Sequence, residues 1–249
     1  MKQFELPWQR GVPGGVIGFN EVHVWRVLLD TIEIQQENLS CFLSSDELAR
    51  AGRFYFEKDQ RRYISTRGML RRILSAYLGQ RPEQLTFDYN SYGKPALVEE
   101  TDNNTLNFNL SHSDGIALYA VTCGRNIGID IERIRDDLSF WQIARRFFSE
   151  GEISSLEKIP ESQRRELFFQ LWTRKEALLK ASGEGISLPM EQLDVSAQCG
   201  GDWSPVQIST DNRQAQNWYG KDLFPRPGYA AAIVIEGGNC DLLCRDYFV

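Results

Sequence analysis

Leu43-Ser-Ser-Asp-Glu47 returns 105 residues later as Phe148-Ser-Glu-Gly-Glu152. The echo continues down the chain. Thr66-Arg67 matches Thr173-Arg174 at a shift of 107, and Glu83-Gln-Leu-Thr-Phe87 matches Glu191-Gln-Leu-Asp-Val195 at 108. Ile116-Ala-Leu-Tyr-Ala-Val121 has its counterpart in Tyr229-Ala-Ala-Ala-Ile-Val234 at 113. Short repeats imply a solenoid. Two long copies imply instead two similar halves packed about a pseudo-two-fold axis, and ligands favour such interfaces.

Each half reads alike. A strand comes first, at 22–29 and at 127–132. A short helix follows, which Ser44, Ser45 or Asp46 can cap in the first half. A long helix spans about 57–78 in one half and 161–181 in the other, with Gly79 and Gly183 placed to end them. Further strands are expected at 85–88, 106–111, 116–122, 193–196, 218–223, 229–235 and 240–245, and 198–217 reads as a polar, Gly-rich loop of little function. The mixture lacks strict βαβ alternation, so the class is α+β. The halves divide near Gly124-Arg125, into 1–124 and 125–249.

With 249 residues, 42% hydrophobic and 25% charged, the chain suits a globular protein with a substantial core. No run approaches the ~20 apolar residues of a membrane span, and Met-Lys-Gln-Phe-Glu-Leu-Pro at the start lacks a secretory h-region. Five scattered cysteines read as reduced cytosolic thiols, so the expected location is the cytoplasm. A net charge of −6 argues against nucleic acid. Residues 50–72 run the other way, with eight cations (Arg50, Arg53, Lys58, Arg61, Arg62, Arg67, Arg71, Arg72) against Glu57 and Asp59. Such a run is a solvated helix face, a phosphate site or a dock for an acidic partner.

Three segments carry the chemistry. On the strand Gly128-Ile-Asp-Ile-Glu132, Asp130 and Glu132 share one face and Ile129 and Ile131 the other. Two adjacent carboxylates repel, and a shared cation relieves them. In Trp172-Thr-Arg-Lys-Glu-Ala-Leu-Leu-Lys180, Trp172, Glu176 and Lys180 fall on one helix face. Three carboxylates among ammonium groups could hold a divalent metal against a diphosphate, and an oxygen-only, highly charged set suits Mg²⁺. Phe108-Asn-Leu-Ser-His-Ser113 reads as a strand ending in a turn at Asp114-Gly115. Ser111 and His112 point to opposite faces there, which suits a phosphate site better than a nucleophile and its base.

These pieces, together with Gly93-Lys-Pro95 and Phe169-Gln-Leu-Trp-Thr-Arg-Lys-Glu-Ala177, resemble in order and spacing the 4′-phosphopantetheinyl transferases of the surfactin-synthetase-activating type. The likeness is strongest over residues 93–183. It implies coenzyme A as donor, Mg²⁺ as metal and a serine of an apo acyl or peptidyl carrier protein as acceptor. It assigns Asp130, Glu132 and Glu176 to the metal and Glu176 and Lys180 to catalysis. It assigns Arg50, Arg62, Lys94, Ser111, His112, Lys175 and Lys180 to coenzyme A. Carriers are acidic, so residues 50–72 and Arg133, Arg135, Arg145 and Arg146 are expected to dock them. The paired halves imply a monomer. Two rivals remain: a non-enzymatic module that docks an acidic partner, and another Mg²⁺–nucleotide enzyme. No Gly-x-x-x-x-Gly-Lys loop supports a P-loop.

Overall fold

The computed structural model describes residues 8–31, 34, 37–98, 105–183, 189–195, 202–208 and 217–248. Its elements are, in order, β1 (Gln9–Gly11), β2 (Glu21–Leu28), α1 (Ser45–Ala51), α2 (Glu57–Leu78), β3 (Phe87–Tyr89), β4 (Pro95–Leu97), β5 (Leu106–Ser113), β6 (Ile116–Cys123) and β7 (Ile127–Arg133). Then come α3 (Phe140–Phe147), α4 (Glu150–Lys158), α5 (Glu161–Ser182), β8 (Leu193–Asp194), β9 (Ser204–Pro205), β10 (Gln207–Ile208), β11 (Trp218–Leu223), β12 (Tyr229–Glu236) and β13 (Asp241–Tyr247). The class is mixed α and β, with two main sheets of order β1-β13-β2-β6-β5 and β7-β12-β11-β9.

Alternation along the strands sets the layers. On β6, Ala117, Tyr119 and Val121 cluster with Met69, Leu70, Ile73 and Leu74 of α2. Ile116, Leu118 and Ala120 turn the other way, onto Ile129, Ile131, Ile233 and Ile235 of the second sheet. On β12, Ala230, Ala232 and Val234 in turn face Leu178 and Ala181 of α5. The order is therefore helix, sheet, sheet, helix, with a period-two pattern at each interface. The second interface is close. A Cβ on Gly128 of β7 would lie 2.0 Å from the Ala177 carbonyl oxygen and 2.4 Å from the Ala181 nitrogen. Only glycine allows α5 to lie so near that strand.

Local signals act where the sequence places them. Ser44 and Ser149 each form a capping box, with Glu47 and Glu152 three residues on. The 22-residue helices α2 and α5 each stop at a left-handed glycine, Gly79 and Gly183. The carboxylates of the two capping boxes are buried and also receive cations. Arg67 and Arg71 donate to Glu47 at 2.9 and 2.7 Å, and Lys175 lies 2.8 Å from Glu152.

Two expectations change. The 198–217 loop contains β9 and β10, two-residue strands that pair with β11 and β8; residues 198–201 and 209–216 lie outside the described part. The first residues, unassigned in sequence, supply β1, and β13 runs parallel between β1 and β2 in the first sheet. No helix among the described residues is long and apolar enough to cross a membrane.

Candidate active site

The two sheets meet at their edges, where β5 lies beside β7, and side chains make the join. The Ile129 N–H donates to Asn109 Oδ1 at 2.9 Å. Ser111 Oγ donates to Asp130 Oδ1 at 2.8 Å. Ser113 Oγ donates to Glu132 Oε2 at 3.0 Å and accepts the Arg133 N–H at 3.1 Å. Every second residue of β5 thus supplies a polar group to β7, satisfying an edge that a ladder would otherwise close. Sequence reasoning placed the Ser111 and Ser113 hydroxyls at the strand end beside His112 and gave Asn109 no role. The signal was present: Asn107, Asn109, Ser111 and Ser113 alternate with the apolar Leu106, Phe108 and Leu110.

α5 covers this seam. Lys180 Nζ donates to Asp130 Oδ1 at 2.7 Å, Ser111 Oγ at 3.0 Å and the Ile129 carbonyl at 3.3 Å. Glu176, one turn earlier, shares its face. Glu176 is half-buried, and its pKa is raised by burial first and then by the Asp130 charge. That of Glu132 is raised by burial and again by Asp130. The three carboxylates are therefore close enough to repel one another. Asp130 Oδ2 is buried without a hydrogen-bond partner, a costly state for a charged oxygen. Among the described residues no three acidic, His or Cys side chains already stand as a formed metal centre. In this arrangement Lys180 serves as the counter-ion of Asp130.

His112, on the opposite face of β5 from Ser111, presents an exposed ring. Crowding by the surrounding protein lowers its pKa, and the charges of Lys180 and Arg62 lower it further. Two cations thus stand near an imidazole that an anion would favour in its charged form. Toward the end of α5, Lys94 Nζ donates to the Ile127 and Ala181 carbonyls at 3.2 and 3.1 Å, and burial pulls its pKa down to about 8. Asn90 Nδ2 donates to the Gly183 carbonyl at 2.8 Å. Lys94, Asn90, Phe108, Asn126 and Gly183 line a cleft of about 350 Å³ at the end of α5.

Other sequence-derived assignments move. Lys175 does not face the site. It is wholly buried and bound to Glu152 and to the Met190 and Leu193 carbonyls. The 100° step between consecutive helical residues turns Lys175 into the core while Glu176 faces the seam. Its assignment to coenzyme A is corrected on that ground. Arg62 forks onto Asp30 and also reaches Asp114. Arg50 stays exposed, with its guanidinium 5.7 Å from the Tyr63 ring centroid. The basic stretch as a whole is less basic than its sequence. Arg67 and Arg71 are neutralised by Glu47, Arg62 by Asp30 and Asp114, and Arg72 by Glu37.

Comparison with known proteins gives two family matches. Residues 126–234 match the 4′-phosphopantetheinyl transferase superfamily, and residues 31–124 match the 4′-phosphopantetheinyl transferase N-terminal family. The 4′-phosphopantetheinyl transferase HetI of Nostoc sp. is 41% identical over 230 residues, covering 92% of this chain and 94% of that protein. The 4′-phosphopantetheinyl transferase Sfp of Bacillus subtilis is 29% identical over 213 residues, covering 84% and 90%. Among solved structures, the Thermotoga maritima holo-[acyl-carrier-protein] synthase overlays at a TM-score of 0.36 and 18% identity. That overlay covers 45% of this chain and 62% of the other, a likeness too slight to define the fold.

Proposed function

The chain belongs to the 4′-phosphopantetheinyl transferase superfamily, and on that premise we propose how its seam performs the reaction. The 4′-phosphopantetheine group of coenzyme A passes to a serine of an apo carrier protein, and 3′,5′-ADP leaves. The observation that carries the site assignment is the meeting of Asp130, Glu132 and Glu176 with Lys180 at the β5–β7 edge.

The residues fit a divalent metal. The donors are all oxygens, two carboxylates carry raised pKa values, and Asp130 Oδ2 lacks any partner. Asp130, Glu132 and Glu176 would hold Mg²⁺, which when bound would neutralise charge on the diphosphate. Lys180, released from Asp130, then meets the leaving phosphate oxygens. His112 takes the 3′-phosphate while the Ser111 hydroxyl stays with Asp130 and Lys180, and Lys94 closes the nucleoside end of the cleft beside Gly183. Glu176 takes the serine proton, directly or through a water.

The carrier docks on the cations that the fold leaves exposed. Arg50, Arg53, Lys58 and Arg61 flank Phe54, Tyr55 and Phe56 along the chain, and all are exposed, Tyr55 at 92%. Arg135, Arg145 and Arg146 lie exposed beyond β7. A surface of arginine around aromatic side chains suits an acidic partner. The two matching halves, each with a capped short helix and a 22-residue helix, support a repeat about a pseudo-two-fold with the site between them. That arrangement fits a monomer.

One experiment tests the reaction. The protein is incubated with coenzyme A, Mg²⁺ and an apo carrier, and the carrier is weighed. A gain equal to phosphopantetheine is expected, and no gain across several carriers would refute it. Glu176→Gln should abolish transfer with the melting temperature unchanged or higher, because a raised carboxylate pKa marks a charge the fold does not favour.

A further inference from the structure

Arg62 arrives from the second turn of α2, and its guanidinium sits at the tip of the β5–β6 hairpin. Its Nε donates to Asp30 Oδ1 at 3.0 Å and its Nη2 to Asp30 Oδ2. Both terminal nitrogens lie 3.4 Å from Asp114 Oδ1. The other Asp114 oxygen accepts from Arg133 Nη1 on β7. Tyr229 Oη on β12 donates to the Asp114 carbonyl at 3.0 Å, and Leu29 N–H to the Gly115 carbonyl at 2.8 Å. Asp114 therefore ties α2, β7 and β12 to one turn.

That turn is tightly specified. Ser113 pairs with Ile116, so Asp114 and Gly115 form a two-residue loop. Both have positive φ, 39° and 87°, as the hairpin turn of this length requires, and Asp-Gly suits it. A Cβ on Gly115 would lie 2.7 Å from Asp30 Oδ2 and 3.2 Å from Arg62 Nη2, so the ion cluster sits directly against the tip. The residue just before the turn is Ser113, whose hydroxyl holds Glu132 and the Arg133 amide.

An arginine shared by two carboxylates is a poor ligand for a third anion, because the phosphate would be repelled by both. We propose that the Asp30–Arg62–Asp114–Arg133 strut is a positioning device, which fixes the β5–β6 turn so that Ser113 orients the Glu132 carboxylate. This rests on the transferase reading, and it changes the role of Arg62 from phosphate ligand to clamp. Asp114 and Ser113 act on Glu132 from behind, as partners of ligating carboxylates commonly do, where loss costs about 10–100-fold in metal affinity.

The test uses the whole chain with Asp114→Asn and Ser113→Ala. Asn keeps the turn, because it tolerates positive φ, and removes the charge together with one of the two acceptor oxygens. Mg²⁺ affinity is read from the rise in melting temperature on titration with the metal alone. Both variants should bind Mg²⁺ about tenfold more weakly than the parent protein, while the ratio of KM for coenzyme A to that for 3′-dephospho-coenzyme A stays unchanged. The Arg133 amide, followed by hydrogen exchange without metal, should exchange faster in both. Parental Mg²⁺ affinity or parental amide exchange in Asp114→Asn overturns the proposal. So does an Arg62→Met variant whose KM for coenzyme A rises to that for the dephospho form with Mg²⁺ affinity intact, since that result makes Arg62 the phosphate ligand. Absence of transfer by the parent protein would refute the transferase reading separately, and the amide exchange would still decide the strut.

Discussion

Replacing Lys175 with Met separates a structural lysine from a substrate-binding one. In the native chain the Lys175 and Glu152 side chains are both 0% exposed. The ammonium contacts Glu152 Oε2 at 2.8 Å and donates to the Met190 carbonyl at 2.6 Å, with the Leu193 carbonyl as a third acceptor. Burial raises the pKa of Glu152 and lowers that of Lys175, and each partner opposes the shift of the other. Removing one member of a buried pair costs about 3–5 kcal/mol, because the remaining charge is left uncompensated. Met fills the apolar stem, so a loss of about 4 kcal/mol is expected, close to the middle of that range. For a chain of this size that is a fall in Tm of roughly 8–16 °C. The penalty should shrink at acid pH. Without Lys175, Glu152 keeps a raised pKa, so its contribution is intact below the unfolded value and is lost as pH rises through the folded one. Adding Glu152→Gln should recover about half the loss, since Gln still completes the capping box. The assay is calorimetric melting together with steady-state transfer kinetics at 25 °C, where KM for coenzyme A should stay within about twofold of the parent. A small Tm change with a large rise in that KM would refute the reasoning and return Lys175 to the substrate.

Gly128→Ala should reduce both stability and transfer. The new methyl meets α5 backbone at 2.0 Å, overpacking of this kind costs about 1–3 kcal/mol or more, and α5 must withdraw Glu176 and Lys180 from β7; normal kinetics would show that the interface yields elsewhere. Metal-free protein should lose stability as pH rises from the unfolded carboxylate value through the raised folded values of Glu132 and Glu176. Mg²⁺ should restore that part at neutral pH. Glu152 and Asp222 titrate in the same direction, so the difference between melts in chelator and in Mg²⁺ isolates the site, and identical melts at pH 7 would argue against a metal there.

Much of the fold was legible because its signals are local. The apolar run at 116–121, the capping residues at 44–46 ahead of a helix-length span, and glycine at each long helix end all follow from backbone preferences. The parallel place of β13 in the first sheet was not legible, because pairing partners far apart in sequence leave no local trace. Spacing put Asp130 with Glu132 on one strand face and Glu176 with Lys180 on one helix face, and the structure brings the four to one seam. Lys175 was misassigned because motif membership says nothing about which side of the helix is buried. The +6 run at 50–72 looked open because its acidic partners Asp30, Glu37 and Asp114 lie outside it, and Glu47 stands just before it.

The insertion of β13 between β1 and β2 governs the order of events during synthesis. The central neighbour of β2 on one side is built from residues 241–247, so the first sheet cannot close until almost the entire chain has left the ribosome. Residues 1–124 emerge early with α2 able to form and an unpaired edge on β2, the kind of edge that invites wrong partners. A chain cut after residue 124 would not yield an independent first domain, because its sheet would lack a strand held by the other fragment. The two pieces would have to be supplied together, and refolding should be slowed by closing a loop of more than 200 residues before that strand pair is rewarded.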